Sequence, residues 1–329
     1  MQYQTIVALF YIYLHLILKM AILTTSILKF TLVAILFSLV NVSNSFTISQ
    51  NQTNQTIPQQ DIDLIEFNLN LVYLEAEFLL HGALGYGLDK VAPDLAARGP
   101  TPKGSKKAFL DPFTHSIIYQ LGLQKVGNIR AIKKVVPGFP RPLMNLTKDQ
   151  FAAVMTQAFG RPIVPHFDPY ANSINYLIAT YLLFPLGLTS YVGTIPKLQS
   201  TEAQKLVGSL LAVQSGQDAV VRTLLYERRL QRVHPYGIPV QEFTNKLSII
   251  RNTLSKEGTK DEGLFVNPKL GPEGKIPLNI LSGDENSVGY AREPEGILRI
   301  CYSHGNESKP GGFYPNGANG TIARCFLSS

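Results

Sequence analysis

Four long segments repeat apolar residues at helical spacing, and this restricts the chain to helices packed on helices. In the first, DIDLIEFNLNLVYLEAEFLLHGALGYGL, Leu64, Phe67, Leu71, Leu74 and Phe78 fall on one face. Gly85 and Gly87 stop it, so the pattern predicts a helix over 61–85. Asp111-Pro112 is an N-cap followed by a first-turn proline, and the helix it opens runs to about 136, where Pro137-Gly138 ends it. Asp168-Pro169 predicts the start of a third helix over 170–195, with Pro185 inside it as a kink or break. Ser200 or Thr201 with Glu202 opens a fourth, continuing to about Arg232. Shorter helices are predicted from Thr147 or Asp149 and over 240–254.

A long crossover joins the second and third long helices. Four long striped helices with one long crossover predict an all-α, ferritin-like four-helix bundle with extra short helices. After Gly258 the texture changes to a Gly/Pro-rich tail in which only PEGILRICY looks regular. The expected organisation is a signal peptide or hydrophobic segment over 1–45, a polar linker over 46–60, the bundle over 61–258, and an irregular extension over 259–329 that packs on it. With 329 residues, 45% of them hydrophobic and only 16% charged, the chain can bury a sizeable core.

FTLVAILFSLV followed by Ser43 and Ser45 has the form of a signal peptide, with Met20 the favoured initiator over Met1. The chain is therefore expected to be secreted, to the extracellular space or cell wall, or held at a membrane by this segment if it is not cleaved. Beyond it, Asn51, Asn54, Asn145, Asn306 and Asn319 stand in N-x-[ST] sequons, which predicts a glycoprotein. Two cysteines, Cys301 and Cys325, are expected to form one disulfide closing the C-terminal loop. The formal charge is +7. Cations group at Lys103/Lys106/Lys107, Arg130/Lys133/Lys134 and Arg222/Arg228/Arg229/Arg232, which reads first as solvated helix faces. No nucleic-acid motif accompanies them.

Polar residues interrupt the stripes. Glu75 has Leu71, Val72, Phe78 and Leu79 as its helical neighbours, so its carboxylate is buried and needs a partner. Glu77 lies nearer an edge. The second helix carries Lys125 and Asn128 on its inner side, and the fourth carries Gln214, Gln217 and Asp218. Metal-binding bundles of this type place Glu on two helices and Glu-x-x-His on the other two, because i and i+3 share a face. Lys125-x-x-Asn128 and Gln214-x-x-Gln217 keep that spacing with the ligands replaced. Lys125 is expected to supply a fixed positive charge where a metal would sit, with Glu75 as counter-ion and Asn128, Gln214 and Gln217 as a neutral hydrogen-bond network. Gly216 reads as a site of close helix approach. A metal site on Glu77 and His81 is the weaker candidate.

Residues 61–323 resemble the plant desiccation-related proteins of the ferritin-like superfamily. The resemblance rests on LVYLEAEFLLHGALGYGLD, FDPYANSINYLIATY, SGQDAVVRTLLYER, VHPYGIPVQEFTN and PGGFYPNGANG. Family members look as though they carry Glu-x-x-His in the second helix and a Glu opening the fourth-helix motif; here Lys125, Asn128 and Gln214 stand instead. The resemblance implies a stress-response protein of dehydration. With the metal positions degenerate, the expectation is a protein that is not an enzyme and holds no cofactor. The alternatives are a di-iron or di-manganese oxidoreductase of catalase or oxidase type with a depleted site, and a binder of acidic cell-wall polysaccharide using the basic clusters. A homo-oligomer remains open.

Overall fold

The computed structural model describes His15, residues 57–260 and residues 262–327. The helices are α1 (Gln59–Leu84), α2 (Pro112–Val135), α3 (Lys148–Phe159), α4 (Ser173–Thr194), α5 (Thr201–Glu227), α6 (Val240–Ser255), α7 (Pro294–Cys301) and α8 (Thr321–Leu327). Single helical turns at Leu88–Val91 and Pro93–Ala96 follow α1. A short antiparallel pair, β1 (Arg232–Val233) with β2 (Ile238–Pro239), separates α5 from α6. Helix α1 packs on α2 and α4, and α4 packs on α5. These four form the bundle, and the α2–α4 crossover carries α3. The signal-like segment, Asn51, Asn54 and most of the linker lie outside the described residues.

Side-chain caps open α2, α3, α4 and α5. Thr147 and Ser200 accept from the backbone N–H groups of Gln150 and Ala203, which opens α3 and α5. Helix α4 begins later than Asp168-Pro169 predicts, at N-cap Asn172, because Asp168 Oδ1 instead accepts from Tyr170 N–H at 2.9 Å and closes a turn. Helix α5 stops at Glu227, short of Arg232, where the chain leaves for β1.

The Asp111 cap joins two bundle helices. Its carboxylate accepts from Thr114 N–H at 2.9 Å and Thr114 Oγ1 at 2.7 Å, and from Ser173 Oγ, the first residue of α4, at 2.6 Å. Burial pushes this carboxyl up, but the Ser173 hydroxyl and the Thr114 amide and hydroxyl outweigh it and hold the pKa at about 2. A depressed carboxyl contributes stability that is complete above its ordinary value of 3.8 and is lost as pH falls towards about 2. Asp111→Ala should therefore cost about 0.5–2 kcal/mol at neutral pH, and the difference from wild type should shrink in urea titrations at pH 3 and below. A difference that does not change with pH would show that the cap contributes nothing through its charge.

Pro185 neither breaks nor ends α4. A proline has no N–H to give to the carbonyl four residues earlier. That carbonyl, Tyr181 O, accepts from the buried Arg251 guanidinium at 3.1 Å instead. The apolar run of α4 is long enough to cross a membrane, but its side chains are packed inside the bundle.

Helices α1 and α4 are buried on almost every side rather than along one stripe. The C-terminal extension covers what would be their outer faces. Asn70 and Asn319 exchange two hydrogen bonds at 2.8 Å, and Tyr314 Oη donates to Asn70 O at 2.8 Å. Arg292 N–H donates to Thr189 O at 3.0 Å. Gly193 lets that segment pass, since a Cβ there would overlap Arg292 O.

Three expectations are corrected by this packing. Cys301 and Cys325 form no disulfide: Cys301 is fully buried, with its thiol pKa pushed up by burial, while Cys325 lies on the exposed side of α8. Arg222 is fully buried rather than part of a basic surface group, and donates to Asn279 O at 2.6 Å, Ile280 O at 2.9 Å and Glu262 O at 3.1 Å, which fastens the extension to α5. Gly216 is exposed and a Cβ there would meet nothing, so it serves no close approach.

Candidate functional site

The face that α2 turns to the bundle centre runs through Ile118, Leu121, Lys125, Ile129 and Ile132, all buried. Lys125 sits in the middle of it and is fully buried, as is Glu75 at mid-length on α1. The Lys125 ammonium contacts Glu75 Oε2 and donates to Gln214 Oε1 on α5. Gln214 Nε2 donates to Glu75 Oε1 at 3.1 Å and to Phe184 O on α4, also at 3.1 Å. One amide thus bridges the two charged groups, with its oxygen to the cation and its nitrogen to the anion. The Phe184 ring closes the other side, its centroid 5.3 Å from the ammonium. Burial pushes the Glu75 carboxyl up and the Lys125 ammonium down, each against the attraction of its partner.

Gly187 on α4 makes room for this group. A Cβ there would lie 2.8 Å from Glu75 Oε1 and 3.1 Å from Gln214 Nε2. Asp218, one turn beyond Gln214, is buried and acts electrostatically on both Lys125 and Glu75. The other two predicted members stand apart. Gln217 is buried, but its Nε2 donates to Gln124 Oε1 at 2.8 Å. Asn128 is half-buried at the edge of the α2 face and gives the central group no hydrogen bond. The centre of that face passes through Lys125 and Ile129, so Asn128 is turned towards the rim.

A second buried ionic group lies at the end of α1. Glu77, read from the sequence as an edge residue, is fully buried. The Arg141 guanidinium donates to Glu77 Oε1, to Asp89 at 2.8 and 3.0 Å, to Gly99 O at 2.8 Å and, through Nε, to Pro100 O at 2.9 Å. His81 Nδ1 is 3.2 Å from Glu77 Oε2. Gly87 is required here, because a Cβ would overlap Glu77 Oε2. Arg141 comes from the α2–α4 crossover, whose irregular sequence has no period to mark it as buried. The clue available was the pair Gly85 and Gly87 beside an acid on a helix that has almost no exposed face.

Neither group fits a carboxylate-bridged metal pair. At the bundle centre a fixed ammonium already takes the one central glutamate, and the remaining contacts are amide oxygens and nitrogens. At the second group a guanidinium takes Glu77. Among the described residues no three His, Cys, Asp or Glu side chains gather to ligate an ion.

A bundle of this topology, with charged and amide side chains meeting at its centre, defines a ferritin-like protein. The ferritin-like domain family matches residues 60–227. The chain is 52% identical over 264 residues, 80% of its length and 84% of the relative's, to the desiccation-related protein PCC13-62 of Craterostigma plantagineum. It is 51% identical over 271 residues, 82% of its length and 87% of the relative's, to the ferritin-like catalase Nec2 of Nesocodon mauritianus. No solved structure matches the chain. The chain belongs to the plant desiccation-related proteins of the ferritin-like family. The expectation that it is not an enzyme is overturned by the second relative, which is named for an enzymatic activity at the same degree of identity.

Proposed function

We propose that this chain serves in the dehydration response, the role named for its relative from Craterostigma plantagineum, and that an ionic lock takes the place of a metal pair at its bundle centre. Lys125 carries this reading. An ammonium held between Glu75 and Gln214 occupies the central carboxylate that would otherwise ligate a metal ion. A lock made wholly of the chain's own side chains keeps its composition while water and ions are redistributed during drying. Protein purified from plant cells should contain manganese and iron well below one ion per chain by elemental analysis. One or more tightly held ions per chain would overturn the lock.

A catalase-type activity is the second reading, favoured by the name of the relative from Nesocodon mauritianus. Oxygen release from hydrogen peroxide, measured on the sample used for elemental analysis, tests it. Activity that rises with metal occupancy would support this reading and sink the first.

We further propose that the protein is exported and glycosylated. The signal-like segment supports this, as do Asn51 and Asn54 in the linker. Of the described sequon residues, Asn306 is exposed, Asn145 is half-buried, and Asn319 donates its amide nitrogen to Pro140 O at 3.3 Å. N-glycosidase treatment of plant-expressed protein should lower its apparent mass and restore the Asn306 peptide to its unmodified mass plus deamidation. An unchanged mass would exclude glycosylation.

A further inference from the structure

A cleft of about 600 Å³ lies between α4, α5 and the loop over 279–289. Its apolar walls include Leu188, Val192 and Leu211 from the bundle, with Ile280, Leu281 and Val288 from the loop. The loop residues leave 40%, 58% and 60% of their surface exposed, although the loop that carries them is well anchored. Arg222 holds the backbone carbonyls of Asn279 and Ile280, and Asp284 Oδ1 accepts from Val288 N–H at 2.9 Å. The cleft is therefore preformed, and its volume falls within the range of about 300–1,000 Å³ typical of small-molecule sites. Its charges are of one sign: Asp218 and Asp284 line it, and no Lys or Arg does.

We propose that this cleft binds a small molecule with an apolar body and a cationic amine head, the head directed to Asp218. Asp218 is buried where the cleft meets the central group, so an ammonium reaching it leaves water for a site of low dielectric in which its attraction to a carboxylate is strengthened. With two carboxylates and no cation in its lining, the cleft favours a cationic head over an anionic one. The apolar walls accept the body of the ligand through burial of their exposed surface.

Gly208 provides the test. It lines the cleft from α5, and a Cβ there would meet nothing within 4 Å, so a larger side chain enters the cleft without displacing the bundle. The probes are 2-phenylethylamine and 3-phenylpropanoate, titrated calorimetrically into the full chain. The amine should bind at least about tenfold more tightly than the carboxylate, and Gly208→Leu should weaken the amine by at least about tenfold while the melting temperature stays at or above that of wild type. Asp218→Asn should remove the preference for the amine. Equal binding of the two probes, binding undiminished in Gly208→Leu, or no saturation by either would overturn the proposal. So would self-association of the wild type that Gly208→Leu abolishes, because the cleft would then be occupied by a second copy of the chain.

Discussion

Lys125→Met and Glu75→Leu should each destabilise the protein by about 3–5 kcal/mol, and the double variant should recover most of that loss. Lys125→Met leaves Glu75 buried without its counter-ion, and Glu75→Leu leaves Lys125 with the attraction of Asp218 but without the carboxylate that contacts it, at a site where both side chains are almost inaccessible to water. Removing both takes away two desolvation penalties with the attraction that offset them. Recovery should be incomplete, because Gln214 then keeps Phe184 O for its nitrogen but loses the ammonium its oxygen accepts from. The coupling energy from denaturant unfolding of the four proteins should exceed about 1 kcal/mol, beyond what independent sites show. Strictly additive losses would mean that the two groups do not interact. Gly187→Val should resemble the single variants in direction, since its side chain would be driven into Glu75 and Gln214.

Arg141→Met should cost a comparable amount, about 3–5 kcal/mol, through a different set of partners. It strands Glu77, which keeps only His81 and a long bond of 3.3 Å from Leu88 N–H, and it frees the carbonyls of Gly99 and Pro100. Adding Glu77→Gln to Arg141→Met should recover part of the loss by removing the stranded charge. Asp89→Asn should cost under about 1 kcal/mol, because that partner is 42% exposed and its attraction is screened. The loop after α1 should become sensitive to limited proteolysis in Arg141→Met and remain protected in Asp89→Asn. A loss below about 1 kcal/mol for Arg141→Met would show that water replaces the guanidinium, which full burial argues against.

The two ionic groups differ in how far the sequence reveals them. Glu75 and Lys125 each interrupt a regular apolar stripe on a long helix, and a charge at such a position must meet an opposite one. Helical periodicity alone therefore pairs them across the bundle. Glu77 also sits on a regular helix, yet its partner lies 64 residues away in a proline-rich crossover with no repeat to read. Arg222 is misread for the opposite reason. It belongs to a run of cations at the end of α5, and nothing local distinguishes it from the half-buried Arg228 and Arg229 or the exposed Arg232; only the extension folding back gives it backbone carbonyls to hold.

Local chemistry in the sequence thus determined the helix positions, most of their capped starts, the crossover that defines the bundle, and the charge at its centre. These follow from interactions within a few residues, or from a periodicity that extends along one helix. The tertiary structure alone decided which of the polar side chains on α2 and α5 reach the centre, that Gly187 and not Gly216 makes room there, and that the cysteines lie apart. It also decided that α1 and α4 have no solvent face, because the chain after Gly258 covers them through bonds such as Asn70 to Asn319. Those outcomes depend on contacts between distant segments, where a rotation of one helix by a single position changes the partner of every side chain on it.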